Sequence, residues 1–164
     1  MEYEIRTFGD PVLKSRATPV KEFNGSLERL AEDMRRIMRE NEGVGLAANQ
    51  IGLLKRIFVA SLEDQEYAIV NPVVEERSEE TEKETEGCLS LPEVRVEVER
   101  PRSVIITGED LQGEPVRIEA EGLLARVFQH EIDHLNGILI LDRTDRESRK
   151  SALREIRERL VAPR

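Results

Sequence analysis

Hydrophobic residues recur every three or four positions in one segment near the N-terminal end of the chain. The segment follows Ser26, whose hydroxyl oxygen can cap the first turn of a helix, and it should end near Asn41 and Gly43. Its apolar residues are Leu27, Leu30, Ala31, Met34, Ile37 and Met38. Because this spacing places the side chains on one face, the pattern predicts an amphipathic helix packed against a core.

The middle of the chain shows the alternation typical of strands. Residues 56–62 and 67–74 are short runs rich in β-branched side chains, and residues 110–113 form a predicted turn before another strand. Two further runs alternate apolar with polar residues, as strands with one solvated face do: Val94, Val96 and Val98, and then Val116, Ile118 and Ala120. The glutamate-rich residues 75–85 are interpreted as a solvated edge or loop.

Two more helices are predicted in the C-terminal third. The spacing of Leu123, Val127 and Phe128 places one helix at about residues 122–136, and a second should span about residues 145–160. The 164 residues suit one domain with a single core, covering residues 1–164. Helices packed on largely antiparallel strands predict an α+β fold.

Charge and composition exclude several classes of protein. The net charge of −9 makes non-specific binding of the molecule as a whole to nucleic acid unfavourable. No stretch reaches the ~18 apolar residues of a membrane span. Residues 1–6 lack the basic and then apolar pattern of a signal peptide. A single cysteine excludes an internal disulfide and is typical of a reducing compartment. The sequence therefore predicts a cytoplasmic protein without a membrane or DNA partner.

The helix at residues 122–136 contains a metal-binding pattern. Residues 130–134 fit H-E-x-x-H, in which two histidines four positions apart lie on one helix face and can reach one cation. His130 and His134 are the only histidines of the chain. Glu131, beside the first of them, is the candidate general acid–base.

Two imidazoles leave a metal under-coordinated, and Cys88 is the candidate third ligand. Catalytic metal sites commonly use three protein ligands and keep one position open. A thiolate is a strong, soft ligand for zinc or ferrous iron. The resulting set of one cysteine and two histidines predicts a metal-dependent hydrolase.

Two alternatives use the same helix motif differently. In a zinc protease the third ligand would be a further histidine or a later glutamate, but Ile140 occupies the histidine position. Glu155 is the serious glutamate candidate, although it is flanked by arginines on a predicted exposed face. In a non-catalytic domain with a structural metal, a fourth protein ligand such as Asp133 would close the site.

Three separated segments resemble the peptide deformylase family. They are residues 43–50 (GVGLAANQ), residues 86–90 (EGCLS) and residues 129–134 (QHEIDH), and residues 9–13 (GDPVL) are also similar. The likeness follows the family's order and covers nearly the whole chain. It implies antiparallel strands around a central metal-binding helix. It also implies removal of the formyl group from the N-terminal formyl-methionine of nascent proteins, with release of formate.

The resemblance also implies a role for individual residues. The implied metal ligands are Cys88, His130 and His134. The implied catalytic groups are Glu131 as the acid–base, with Gln50 and the backbone N–H of Leu89 as donors to the oxyanion. The implied substrate-binding residues are Val44, Gly45, Leu123 and Val127, and Glu86 and Arg95 match a supporting ion pair. Arg126 stands where the family often has an apolar residue, which affects the outer wall of the methionine pocket.

The implied metal and partners complete the prediction. One cysteine with two histidines suits zinc, ferrous iron, cobalt or nickel, and the resemblance favours Fe²⁺. Residues 143–164 hold eight basic and four acidic side chains, a charge of +4 in a chain of −9. Family members with a helical C-terminal extension dock on the ribosome, so this basic helix predicts a contact with ribosomal RNA phosphates.

Overall fold

The computed structural model describes residues 3–161 of the chain and has the predicted α+β architecture. Its helices are α1 (Gly25–Glu40), α2 (Gly122–Leu135), α3 (Ile140–Arg143) and α4 (Arg146–Val161). Its strands are β1 (Gly45–Ala47), β2 (Ile57–Leu62), β3 (Gln65–Arg77), β4 (Thr81–Cys88), β5 (Leu91–Pro101), β6 (Ser103–Glu109) and β7 (Pro115–Glu121). Two short 3-10 helices cover Pro11–Lys14 and Ala48–Ile51.

The strands form two antiparallel sheets. The larger sheet has the order β1-β2-β3-β6-β7, and β4 and β5 form a separate hairpin. Neighbouring strands are antiparallel in both sheets, as the sequence predicted. Within residues 3–161, β1 is therefore an edge strand of the larger sheet, and β4 and β5 pair only with each other.

The larger sheet is buried on both faces at β2, which explains the continuous apolar run of that strand. Phe58 and Ala60 pack with Phe128 of α2, whereas Ile57 and Val59 belong to the cluster formed with α1. Successive side chains of a strand point to opposite faces of the sheet. The sheet therefore lies between α1 and α2.

Helix α1 confirms the predicted apolar face, since all six of its predicted residues are buried. Its N-cap is Asn24, not Ser26 as predicted: the Asn24 side-chain oxygen accepts hydrogen bonds from the N–H groups of Ser26 and Leu27. A capping side chain must precede the orphan N–H groups that it satisfies, and Ser26 already lies inside the helix. The helix ends at Glu40 with Asn41 as its C-cap, next to the predicted end.

The hairpin is covered by the two C-terminal helices. Leu91, Val96 and Val98 of β5 pack with α3 and with Leu153 and Ile156 of α4. Residues 75–85, interpreted from the sequence as a solvated edge or loop, form the end of β3 and the beginning of β4. Arg164, one of the eight basic residues counted above, lies outside the described residues. Within residues 3–161, no helix combines the length and apolar composition needed to cross a membrane.

Candidate active site and metal centre

Helix α2 places its two histidines side by side on the face directed towards the β4–β5 hairpin. The Nε2 atoms of His130 and His134 lie 3.1 Å apart, one helical turn from each other. Cys88 ends β4, where the pairing with β5 becomes irregular after Gly87. Its Sγ lies 3.3 Å from His134 Nε2. Irregular pairing of this kind re-aims a side chain, which here brings the thiol to the histidines.

Two of the three separations between these candidate ligand atoms suit a tetrahedral cation. All of them lie within 4.8 Å of one another. Bonds of ~2.0–2.3 Å at tetrahedral angles put ligand atoms roughly 3.3–3.6 Å apart, close to the two distances above. Within residues 3–161, Cys88, His130 and His134 are the one group of three such side chains that converges in this way.

The positions at which the alternative interpretations need a further metal ligand do not belong to this group. Ile140 is 3% exposed and packs in the hydrophobic cluster under α4. Glu155 forms an ion pair of 3.0 Å with Arg159 on the surface of α4. Asp133 accepts hydrogen bonds from Arg100 and Arg143 and does not join the ligand group.

A buried carboxylate orients the first histidine. Glu86 Oε1 lies 2.9 Å from His130 Nδ1, so the Nδ1–H donates to the carboxylate and the Nε2 lone pair is left for a metal. Arg100 donates to the same carboxylate through Nε at 2.6 Å and Nη2 at 3.0 Å. Burial alone would raise the pKa of Glu86, but the hydrogen bonds from His130 and Arg100 lower it to about 2. Glu86 is therefore a permanent negative charge behind the site.

The predicted ion pair between Glu86 and Arg95 is wrong, and the strand register explains the error. Glu86 lies opposite Val96 and faces the interior, whereas Arg95 lies opposite Gly87 on the other face of the hairpin. Arg100 has the same parity as Val96 and reaches the buried face, because side chains alternate along a strand. Within residues 3–161, Glu86 forms ion pairs with Arg100, Arg126 and His130.

Gln50 is buried in the 3-10 helix that follows β1. Its Oε1 accepts the backbone N–H of Ala47 at 2.9 Å, and its Nε2 donates to Ser90 Oγ at 3.2 Å. Since a backbone N–H can only donate, the oxygen must face Ala47 and the NH₂ group must face the site. This Nε2 lies 3.6 Å from Cys88 Sγ. The contact between Gln50 and Ser90 was not predicted from the sequence.

Glu131 lies at the floor of the site and is 4% exposed. Its Oε1 is buried without a hydrogen-bond partner among the described residues. Burial raises the pKa of Glu131 to about 7, against the attraction of His130. A Cβ added to Gly45 would lie 2.5 Å from Glu131 Oε2, so only glycine leaves room for this carboxylate. The family resemblance implied that Gly45 binds the substrate, and the contact with Glu131 is a separate reason for glycine at this position.

These groups open into a cavity of about 380 Å³. The predicted substrate-binding residues Val44, Gly45, Leu123 and Val127 all line it, as does Leu89. Val44 and Leu123 are 48% and 58% exposed, whereas Val127 is buried. Val44 and Leu123 therefore form the apolar part of the cavity rim, which also includes the exposed Glu42, Thr85 and Arg95. The polar floor is formed by Cys88, His130, Glu131 and Gln50.

Arg126 does not leave a polar gap in the wall of this cavity. Its side chain is buried, and its guanidinium donates to Glu86, to the carbonyl of Val98 and to the carbonyl of Glu82. The charge therefore points into the protein while the methylene stem lies along the cavity. These partners are 28 to 44 positions away in the chain, and no local sequence pattern indicates them.

Comparison with known proteins gives one consistent result. The family model described as Polypeptide deformylase matches residues 2–150. Peptide deformylase 1 of Corynebacterium glutamicum is 49% identical over 158 residues, 94% of each chain. The crystal structure of peptide deformylase from Thermus thermophilus has a TM-score of 0.92 at 46% identity, covering 98% of this chain and 96% of that one. The structure from Thermotoga maritima has a TM-score of 0.86 at 48% identity, covering 88% and 99% respectively.

Proposed function

We propose that Cys88, His130 and His134 bind the metal ion of this chain, which belongs to the polypeptide deformylase family. The chain is a metal-dependent hydrolase that removes N-formyl groups from nascent peptides. The observation that carries this proposal is the convergence of their three ligand atoms within 4.8 Å, beside the cavity that Cys88 and His130 line. We infer that the chain acts as a single catalytic domain built around α2.

The ligand set suits several divalent ions. A bound divalent metal supplies a nucleophile at neutral pH by lowering the pKa of water to ~7. Thiolate with imidazole accepts ferrous iron, zinc, cobalt and nickel, and we infer that Fe²⁺ is the physiological ion, as the family resemblance favours. Glu86 supports this site by keeping the His130 Nε2 lone pair available.

Glu131 is the group proposed to move the proton. Its free Oε1 accepts a proton from the water that attacks the formyl carbon, and the same carboxyl then gives the proton to the departing amine nitrogen. The C–N bond of the formamide breaks, and the products are formate and a free N-terminus. A pKa raised to about 7 by burial suits a group that must both take and return a proton near neutral pH.

Gln50 and Leu89 are proposed to stabilise the oxyanion. The Gln50 Nε2 is held at the site by the contacts of its amide with Ala47 and Ser90, so little reorganisation is needed during the reaction. Leu89 directly follows Cys88 at the turn of the hairpin, where its N–H is the second proposed donor. Together they supply two donors without adding a full charge to the site.

The cavity explains how a formyl-methionyl peptide would bind. Val44, Leu123, Val127 and the stem of Arg126 offer an apolar surface to the methionine side chain. The cavity also borders β1 and β4, which both have free edges. An extended peptide backbone can pair with such edges, which suits a nascent chain as substrate.

Paired alanine substitutions test the ligand assignment. Cys88→Ala should lose most of its bound metal under reducing, anaerobic conditions, together with formate release from a formyl-Met peptide. Glu155→Ala is the matched control and should retain both, because Glu155 contacts Arg159 on the surface. Retained metal in Cys88→Ala with loss in Glu155→Ala would overturn the assignment in favour of the protease-type site.

We also propose that α4 contacts the ribosome. Arg146, Lys150, Arg154 and Arg157 are exposed and spaced by four, four and three residues, which places them on one helix face. Among the described residues none of these four has an ion-pair partner, so their charges are available to ribosomal RNA phosphates. A location in the cytoplasm, where ribosomes present nascent chains, follows from the same proposal.

A further inference from the structure

Arg126 carries a buried charge at the point where the cavity wall meets the candidate metal site. It is 8% exposed, and its guanidinium donates to three acceptors, of which Glu86 is the charged one. Burying a guanidinium is costly unless it is paired and hydrogen-bonded. The cost is offset here by contacts that fix one orientation of the side chain.

The oxygens of Glu86 are fully engaged. Oε1 accepts from His130 and Arg100, and Oε2 accepts from Arg100 and Arg126. A carboxylate has about four acceptor positions, so each donor restricts the directions left to the others. The direction in which Glu86 meets His130 therefore depends on the two arginines.

The two arginines hold Glu86 from different sides. Arg100 lies on β5, the hairpin partner of the strand that carries Glu86. Arg126 lies on α2, four residues before His130, so Glu86 bridges consecutive turns of the helix. Arg100 contacts α2 by donating a hydrogen bond to Asp133. Arg126 and His130 both belong to α2 and contact Glu86 directly.

We propose that Arg126 is a positioning residue of the metal site: acting through Glu86, it sets the orientation and tautomer of the His130 ring. The same side chain forms part of the cavity wall, so the substrate pocket and the metal centre share one structural element. This inference rests on the proposed role of His130 as a metal ligand.

The test is Arg126→Met, which keeps an unbranched side chain but removes the guanidinium. Its metal affinity should fall about three- to tenfold in a chelator competition, less than the ~10–100-fold typical of a direct partner of the ligand. The visible absorption bands of the cobalt-substituted protein should shift, because they report the ligand geometry. Arg126→Lys, which keeps the charge but not the fork of donors, should give an intermediate result and serves if Arg126→Met does not fold.

Arg56→Met is the matched control. Arg56 is also 8% exposed and also donates to three acceptors, which are the carbonyls of Ala17 and Leu135 and the side-chain oxygen of Asn136. Leu135 and Asn136 lie at the C-terminal end of α2. Its loss should lower the Tm comparably and leave metal affinity and cobalt spectrum within about twofold of the parent. Equal effects of both substitutions, or no effect of Arg126→Met, would overturn the proposal. Retained metal in His130→Ala would instead overturn the ligand assignment, and neither readout depends on turnover.

Discussion

Helices α2 and α4 both carry many charged side chains, but they place them in different surroundings. On α2, Arg126, Glu131 and Asp133 are 8%, 4% and 7% exposed. On α4, the side chains of Glu155 and Arg159 are both 46% exposed and pair with each other one turn apart. A buried charge needs a defined partner or a function, whereas an exposed ion pair contributes little. Substitutions of the same chemical kind should therefore have very different effects on the two helices.

The largest difference is expected for Glu131→Gln on α2. An amide cannot accept the proton from water, so kcat should fall about 10²–10⁴-fold while the metal content is retained. Formate release from a formyl-Met peptide and metal analysis of the same sample measure both quantities. Glu158→Gln on the exposed surface of α4 is the control and should leave kcat unchanged. Turnover near that of the parent by metal-loaded Glu131→Gln would contradict the proposed proton transfer.

A second substitution tests Gln50, a buried neutral residue of the 3-10 helix Ala48–Ile51. Gln50→Ala should lower kcat about 10²–10³-fold with a smaller effect on KM, because the oxyanion develops only as the reaction proceeds. Steady-state kinetics on a short formyl-Met peptide separates the two constants. An effect confined to KM would show that Gln50 binds the ground state of the substrate.

The third experiment uses pH to measure how much the Glu86 carboxylate contributes to the stability of the fold. The pKa of Glu86 falls from an ordinary 4.5 to about 2 in the folded protein, so its ionised form stabilises the fold. This stability is fully present above about pH 4.5 and is lost as the pH falls towards 2, with an upper limit of ~3 kcal/mol. Glu86→Gln should therefore be less stable than the parent at pH 6, and the difference should shrink in acid. Urea unfolding with a chelator present measures this, and a constant difference between pH 6 and pH 3 would contradict it.

The smallest effect on catalysis is expected from the exposed basic face of α4. Replacing Arg146, Lys150, Arg154 and Arg157 together by Gln should leave hydrolysis of a short peptide within about twofold of the parent. Binding to ribosomes at low salt should be lost, because each phosphate contact releases counterions. Glu147→Gln with Glu158→Gln on the same helix is the control of opposite charge. These substitutions are preferable to deletion of α4, which would uncover Val96 and Val98.

Periodic features were predictable from the sequence, and long-range pairing was not. The apolar face of α1 and the alternation of Val94, Val96 and Val98 follow from local spacing, and both were confirmed. Helix α3 was missed because four residues carry too little periodicity. At the site, the grouping of Cys88 with the two histidines was predicted because the chain has one cysteine and two histidines.

The wrong predictions at the site concern which side chains interact with each other, not which residue types are present. Glu86 was predicted to pair with Arg95, but the pairing register of β4 and β5 determines which arginine lies on the same face as Glu86. A register shift of one residue would place the other set of β5 side chains on that face. Arg126 looked like a substitution in a pocket wall, and its three acceptors come from strands distant in sequence. Single-sequence patterns contain neither the register nor these contacts.

The separation of the proposed metal ligands would link metal supply to the lifetime of the protein. Cys88 and His134 are 46 positions apart and meet only when the hairpin packs on α2. The ligand group therefore does not exist in the unfolded chain, and an ion that binds it favours the folded state. At a free concentration 1,000 times its Kd, such an ion adds about 4 kcal/mol to the free energy of unfolding. Cells short of the metal would then lose enzyme molecules to proteolysis as well as turnover, since proteases act on the opened chain.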